Sequence, residues 1–183
     1  MADTAHSLKK TRRSNKPKDL SEVEGKTTQR AITYSFADPD DKGQIRRLLS
    51  QCELPTLYVH RHLKSFMVAR ADKKIIGVIG IEVYGRTGLF RSLCVDEAYR
   101  GRGIAKVLNK KLLTYARMWK IDRLYLFTWY AEKFASKLGF RRIDKRRIPK
   151  GIRSTWQFRK SHSYPSVVCM MKEINRSAQT RNT

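Results

Sequence analysis

The stretch Arg91-Ser92-Leu93-Cys94-Val95-Asp96-Glu97-Ala98-Tyr99-Arg100-Gly101-Arg102-Gly103-Ile104-Ala105 joins an apolar, strand-like segment to a long amphipathic helix. In that helix Ile104, Leu108, Leu112, Tyr115 and Trp119 mark one face, and Lys106, Lys110, Lys111 and Arg117 the other. Two glycines at such a junction let the backbone turn tightly and approach a ligand closely. The first helical amides lack partners and carry the positive end of the helix dipole, so a phosphate suits the site. Arg100 and Arg102 add charge to it. Neither the dinucleotide fingerprint GxGxxG nor the P-loop GxxxxGK[ST] is present, so both of those nucleotide readings are excluded.

Leu89 to Val95 follows Lys74 to Tyr84 across the turn Gly85-Arg86-Thr87-Gly88. Ser65 to Arg70 precedes it across Ala71-Asp72-Lys73, giving an antiparallel meander. Before the meander, Ile32, Tyr34 and Phe36 alternate as a half-buried strand. Asp38 to Asp41 offer cap chemistry for a helix carrying Ile45, Leu48, Leu49 and Cys52. Beyond the long helix come a short strand over Leu124 to Phe127, a short helix over Ala131 to Leu138, a strand start at Phe140 to Asp144 and a last strand over Pro165 to Met171. Residues 1–29 read as a basic disordered tail and 175–183 as a polar one, leaving 30–174 as one domain.

The chain has 183 residues with 40 Lys plus Arg against 16 Asp plus Glu, a net charge of +24, and 40% hydrophobic residues. That apolar share supports a folded core, and the charge favours polyanionic partners. The longest aliphatic run, Ile75 to Ile81, is far short of a membrane span, and Met1 to Lys10 lacks the apolar core of a secretory leader, so a cytoplasmic protein is expected. Cys52, Cys94 and Cys169 are an odd set without CxxC spacing and read as reduced, packed thiols. His60 and His62 alternate but have no third ligand in view, so no metal is expected.

The Arg91-to-Val95 and Arg100-to-Ala105 strings resemble motif A of the GCN5-related N-acetyltransferases (GNAT), and Lys137-Leu138-Gly139-Phe140 resembles that family's C-terminal element. The order of strands and helices matches from Ala31 to Met171. Within the family, Gly80 to Gly85, Thr128 to Leu138, Ile152 to Phe158 and Pro165 to Met170 are most similar to the arsenic-resistance-associated N-acetyltransferases. More distantly they resemble the acetyltransferase domain of N-acetylglutamate synthase. The resemblance implies an α+β acyl-CoA N-acyltransferase fold: a mixed, mostly antiparallel sheet of six or seven strands, flanked by helices and splayed at the Val95 strand. It implies acetyl-CoA as co-substrate, its pyrophosphate on the amides of Gly101, Arg102, Gly103, Ile104, Ala105 and Lys106 beside Arg100. The pantetheine arm would pair like a strand with Leu93, Cys94 and Val95, and Thr128 is a further expected cofactor contact. A deprotonated amine attacks the thioester directly, and a backbone amide near Cys94 meets the developing oxyanion. No acyl-enzyme is required, and Cys94 is read as packing.

A four-residue loop would place Glu82 opposite Arg91 across the hairpin. The bland reading is a cross-strand ion pair. In the functional one Glu82 takes the substrate ammonium's proton, directly or through water, and Arg91 holds a substrate carboxylate. The family often has a Tyr four residues before the glycine of its C-terminal element, as acid to the departing thiolate. Here that position is Ala135, which leaves Tyr130 as the nearest phenol and solvent as its rival.

Basic residues crowd Arg141 to Lys160, where Arg153 is the candidate for substrate-anion capture; Trp156 and Phe158 interleave with them. The expected function is acetylation of a small amino-acid-like amine. The alternatives are a protein or peptide N-acetyltransferase, and a non-catalytic GNAT-fold protein that binds nucleic acid or another polyanion through its basic surface. A homodimer is compatible with each, and no membrane partner is expected.

Overall fold

The computed structural model describes residues 31–174. The tails expected over 1–29 and 175–183 lie outside the described residues. After strand β1 (Ile32–Phe36), Pro39–Asp41 makes a single 3-10 turn into α1 (Lys42–Gln51), followed by the one-turn α2 (Val59–His62). The meander is β2 (Phe66–Ala71), β3 (Lys74–Tyr84) and β4 (Thr87–Val95), and α3 (Ile104–Met118) leads to β5 (Arg123–Thr128). The chain closes with α4 (Glu132–Lys137), β6 (Arg141–Arg142), α5 (Lys150–Arg153), α6 (Trp156–His162) and β7 (Val168–Glu173). One seven-stranded sheet runs in the order β1-β2-β3-β4-β5-β7-β6. Only the β4–β5 pair is parallel, and α3 supplies the crossover that a parallel pair requires.

Both faces of the sheet are covered, which is why β3 reads as a nearly continuous apolar run. Ile76, Ile79 and Ile81 pack under Ile104, Leu108 and Leu112 of α3. Val68, Val78 and Phe66 pack under Ile45, Leu48 and Leu49 of α1. Each of these fully buried side chains contributes about 1.5–3 kcal/mol relative to exposure. No helix among the described residues is long and apolar enough to cross a membrane.

Several expectations need correction. Trp119, expected on the buried face of the long helix, sits just past its end and is 61% exposed, leaning on Tyr115. The β3–β4 turn has two residues, Gly85 and Arg86, because Thr87 already pairs with Tyr84 and its Oγ1 donates to the Tyr84 carbonyl at 2.8 Å. Glu82 therefore stands opposite Leu89, and Arg91 opposite Gly80. The stretch after Arg142, read as a basic run, holds α5 and α6. Trp156 and Phe158 lie within α6, whose first turn is capped by Thr155 Oγ1 accepting from the Phe158 amide.

Two irregularities open the sheet. Val78 pairs with Cys94 and Gly80 with Arg91, so Ser92 and Leu93 oppose Ile79 alone, and Ser92 has φ +60°. Such a bulge bends its strand. In addition, β4 meets β5 only at Thr87–Arg123, Gly88–Leu124 and Leu89–Tyr125. From Phe90 onward β4 runs without a partner on that side, while β5 stays paired with β7 along its whole length.

Candidate active site

Beside the open half of β4, a groove of about 230 Å³ runs to the start of α3. Leu93, Cys94 and Val95 form its strand wall, Arg100, Gly101 and Gly103 its turn, and Ile104 and Ala105 its helical end. The turn is held by Asp96, whose carboxylate accepts from the Ala98 amide at 3.1 Å and pairs with Lys74 at 2.7 Å. Gly101 and Gly103 have φ of +78° and +76°, and a Cβ on either would meet nothing within 4 Å. The glycines thus serve the left-handed backbone, and they leave open space in front of the unpaired amides of α3. Those features fit a phosphate-bearing ligand.

Three other sequence candidates lie apart from the groove wall. Arg102 donates to the Ala98 carbonyl and stacks over Tyr99, Lys106 is exposed, and Thr128 belongs to a second cavity, where its hydroxyl accepts from the Ala131 amide. Tyr99 and Phe134 also line the groove. Neither had a signal in the sequence, since an aromatic in a turn or short helix looks like ordinary packing.

The second cavity, of about 490 Å³, continues along β4 from Leu89 to Ser92, between the α1–α2 loop, the end of β5 and α6. Arg91 reaches its wall, although only 8% exposed, and Glu82 lies behind it at 3%. Glu82 Oε1 accepts from Arg91 and from Gln157 at 2.9 Å, and Oε2 accepts from the Tyr84 hydroxyl at 2.7 Å. His62 stands 3.8 Å from Oε2. Burial alone would push the Glu82 carboxyl up, but the hydrogen bonds from Tyr84 and Gln157 and the charge of Arg91 hold it below its ordinary range. Burial, together with the hydrogen bond to Glu82 and its negative charge, pushes the Tyr84 phenol up. Burial lowers His62 despite Glu82, which keeps the imidazole neutral near pH 7. Arg91 is fixed by Ser92 Oγ at 3.2 Å and by the Leu57 carbonyl at 2.8 Å.

The hairpin pattern pointed to Glu82 and Arg91. Tyr84, Gln157 and His62 were not identified as partners, because Gln157 is 75 residues from Glu82 and α2 carries no strong helical signal.

Tyr130 borders the second cavity and is 97% exposed, while Ala135 is buried in α4. Arg153 is not among the lining residues, and its guanidinium donates to the carbonyls of Ile148 and Arg146. Cys94 is buried next to Cys52, and both effects push its thiol up; Cys169 is raised by burial to about 11. His60 and His62 join no group of three or more metal-ligating side chains among the described residues. Much of the Arg141-to-Lys160 cluster is engaged internally: Arg141 with Glu173, Arg142 with Glu132, Arg146 with Asp144, and Lys145 with the Ser161 carbonyl.

Known proteins resemble this chain in part of their sequence and in fold. N-acetylaspartate synthetase of Xenopus tropicalis is 28% identical over 97 residues, 50% of this chain and 36% of its own length. An uncharacterised N-acetyltransferase of Chlorobaculum tepidum is 27% identical over 92 residues, 50% of this chain and 59% of its own. The chain thus matches only part of each of these relatives. In structure, N-acetylglutamate synthase from Neisseria gonorrhoeae, complexed with coenzyme A and N-acetyl-glutamate, superposes with a TM-score of 0.70 at 16% identity, covering 80% of this chain and 36% of that one. The seven-stranded mixed sheet is the acyl-CoA N-acyltransferase fold. The acetyltransferase (GNAT) family profile matches residues 30–140, and the chain belongs to that family.

Proposed function

We infer that this protein is an acetyl-CoA-dependent N-acetyltransferase acting on the amine of a small amino-acid-like acceptor. The observation that carries this reading is the succession of two cavities along β4, one at a helix N-terminus and the other beside a buried arginine. Acetyl-CoA supplies an activated thioester. The amides from Gly101 to Lys106 hold its phosphates, and the free edge of β4 at Leu93, Cys94 and Val95 pairs with its arm.

Arg91 orients the acceptor carboxylate, and Glu82 keeps Arg91 in place. Glu82 is buried and held below its ordinary range within that ion pair, so the ammonium proton passes to solvent at the open side of the cavity. The amine lone pair forms the amide bond as the carbon–sulfur bond breaks, and the thiolate is protonated from the open side, where Tyr130 stands. A raised Cys94 thiol is a poor nucleophile, in keeping with direct attack.

Isothermal titration with acetyl-CoA and a thiol-release screen test the reading. The screen covers free amino acids, phosphinothricin-like and arsenical amino acids, and peptides. Saturable cofactor binding with turnover on small amines is the expected result. Turnover on peptides alone assigns the protein alternative. No cofactor binding, together with steeply salt-dependent RNA or DNA binding, assigns the non-catalytic one.

A further inference from the structure

We propose that the acceptor carries one carboxylate and a bulky apolar or aromatic side chain, and that a second carboxylate is rejected. This rests on the reading of the second cavity as the acceptor site.

The charges on its wall are the first ground. Arg91 is the only cation among the lining residues described, and Glu53 the only anion. Of Arg91's five N–H donors, one serves Ser92, one Glu82 and one the Leu57 carbonyl. Two remain, enough for one carboxylate held bidentately. A second carboxylate on the same molecule would find no cation on the wall, and the remaining charged side chain, Glu53, would repel it. Taking an unpaired charge out of water is costly, so the second acid group counts against binding.

The shape of the wall is the second ground. Phe127, Trp129 and Trp156 line the cavity, and two of these rings are braced from outside it. Phe127 packs edge-on against Phe158 at 6.0 Å, and Trp129 against Tyr164 at 6.1 Å. Rings held in this way offer a preformed apolar surface for a flat or branched side chain. The net charge of +24 draws all anions toward the protein, mono- and dicarboxylates alike. At physiological salt that attraction fades beyond about 8 Å, so the wall decides between them. Aspartate and glutamate, the residues in the acetylated products named for the relatives above, are thus poor acceptors here.

The test is thiol release from acetyl-CoA by the full chain with phenylalanine, tryptophan and methionine against aspartate and glutamate, plus the glutamine–glutamate pair to isolate charge. The apolar acids are expected to exceed the diacids in kcat/KM by about tenfold or more, with glutamine above glutamate. Glu53→Lys, on an exposed loop, is expected to raise kcat/KM for glutamate about tenfold. Binding of N-acetyl-phenylalanine is expected to quench the indole fluorescence of Trp129 and Trp156, a readout independent of turnover. Preference for aspartate or glutamate overturns the inference and leaves the acetyltransferase reading standing. Silence on every small amine, with acetyl-CoA still bound, overturns both.

Discussion

Arg91 and Glu82 meet on a diagonal: Gly80 is the cross-strand partner of the arginine and Leu89 that of the glutamate, yet the two side chains form a buried ion pair. The Phe66 ring fills the space that a side chain at Gly80 would take, and Arg91 lies over that ring as it reaches Glu82. The pair is then closed by Tyr84, Gln157 and His62 from three separate elements.

Breaking that pair from one side leaves an uncompensated buried charge. Glu82→Gln is expected to destabilise the protein by about 3–5 kcal/mol, read as a fall in Tm, and to lower turnover by loosening Arg91. Adding Arg91→Met to Glu82→Gln is expected to restore most of the Tm and none of the activity. A single variant as stable as the wild type would mean that the pair is not buried in solution.

The same carboxylate sets an acid limit. Its folded pKa lies below the ordinary 4.5, so its stabilisation is fully present above that value and is lost as pH falls through the folded pKa. Stability measured against pH is expected to lose a component below pH 4.5, and Glu82→Gln to lack that component. An identical acid limb in the two proteins would assign it to other carboxylates.

At the turn into α3, Gly103→Ala forces a Cβ into φ +76°, at a cost of about 1–2 kcal/mol, without filling the groove. Gly103→Glu adds a negative charge before the helix amides. Titration with acetyl-CoA is expected to show weakened binding for the first and none for the second. Undiminished binding by Gly103→Glu would move the phosphate site elsewhere.

Thiol and phenol offer a paired test of the chemistry. Cys94→Ala is expected to keep kcat within about threefold, since the proposed direct attack needs no acyl-enzyme, and a loss of a hundredfold would assign Cys94 as nucleophile. Tyr130→Phe is likewise expected to stay within about threefold with an unchanged pH profile, because the side where the exposed Tyr130 stands is open to solvent. A shift of the basic limb would assign the thiolate's proton to Tyr130.

The parts of the fold visible in the sequence were those with strong local periodicity. The alternation in β1, the apolar run of β3 between turns, and the face of α3 from Ile104 to Leu112 all carried it, as did the glycines before α3. The Glu82–Arg91 pair was visible through its hairpin, although the register was displaced because Thr87 belongs to the strand and not to the turn. What stayed hidden depends on tertiary contact. Gln157 approaches Glu82 from α6, a helix of seven residues whose own pattern is dominated by charge and aromatics. The wall of the second cavity is assembled from four separate stretches, and no one of them signals a cavity.

Strands β4 and β5 share only a short junction. Joined by three pairs at one end and parted beyond, these strands present two free backbone edges inside the sheet. Unpaired edges are the feature by which sheets recruit stray strands from other chains. On the proposed reading a donor arm along β4 would fill that gap, so the protein without coenzyme is expected to be the more aggregation-prone form. The Tm gain on cofactor binding then follows mass action, and storage of the protein is best done with its coenzyme present.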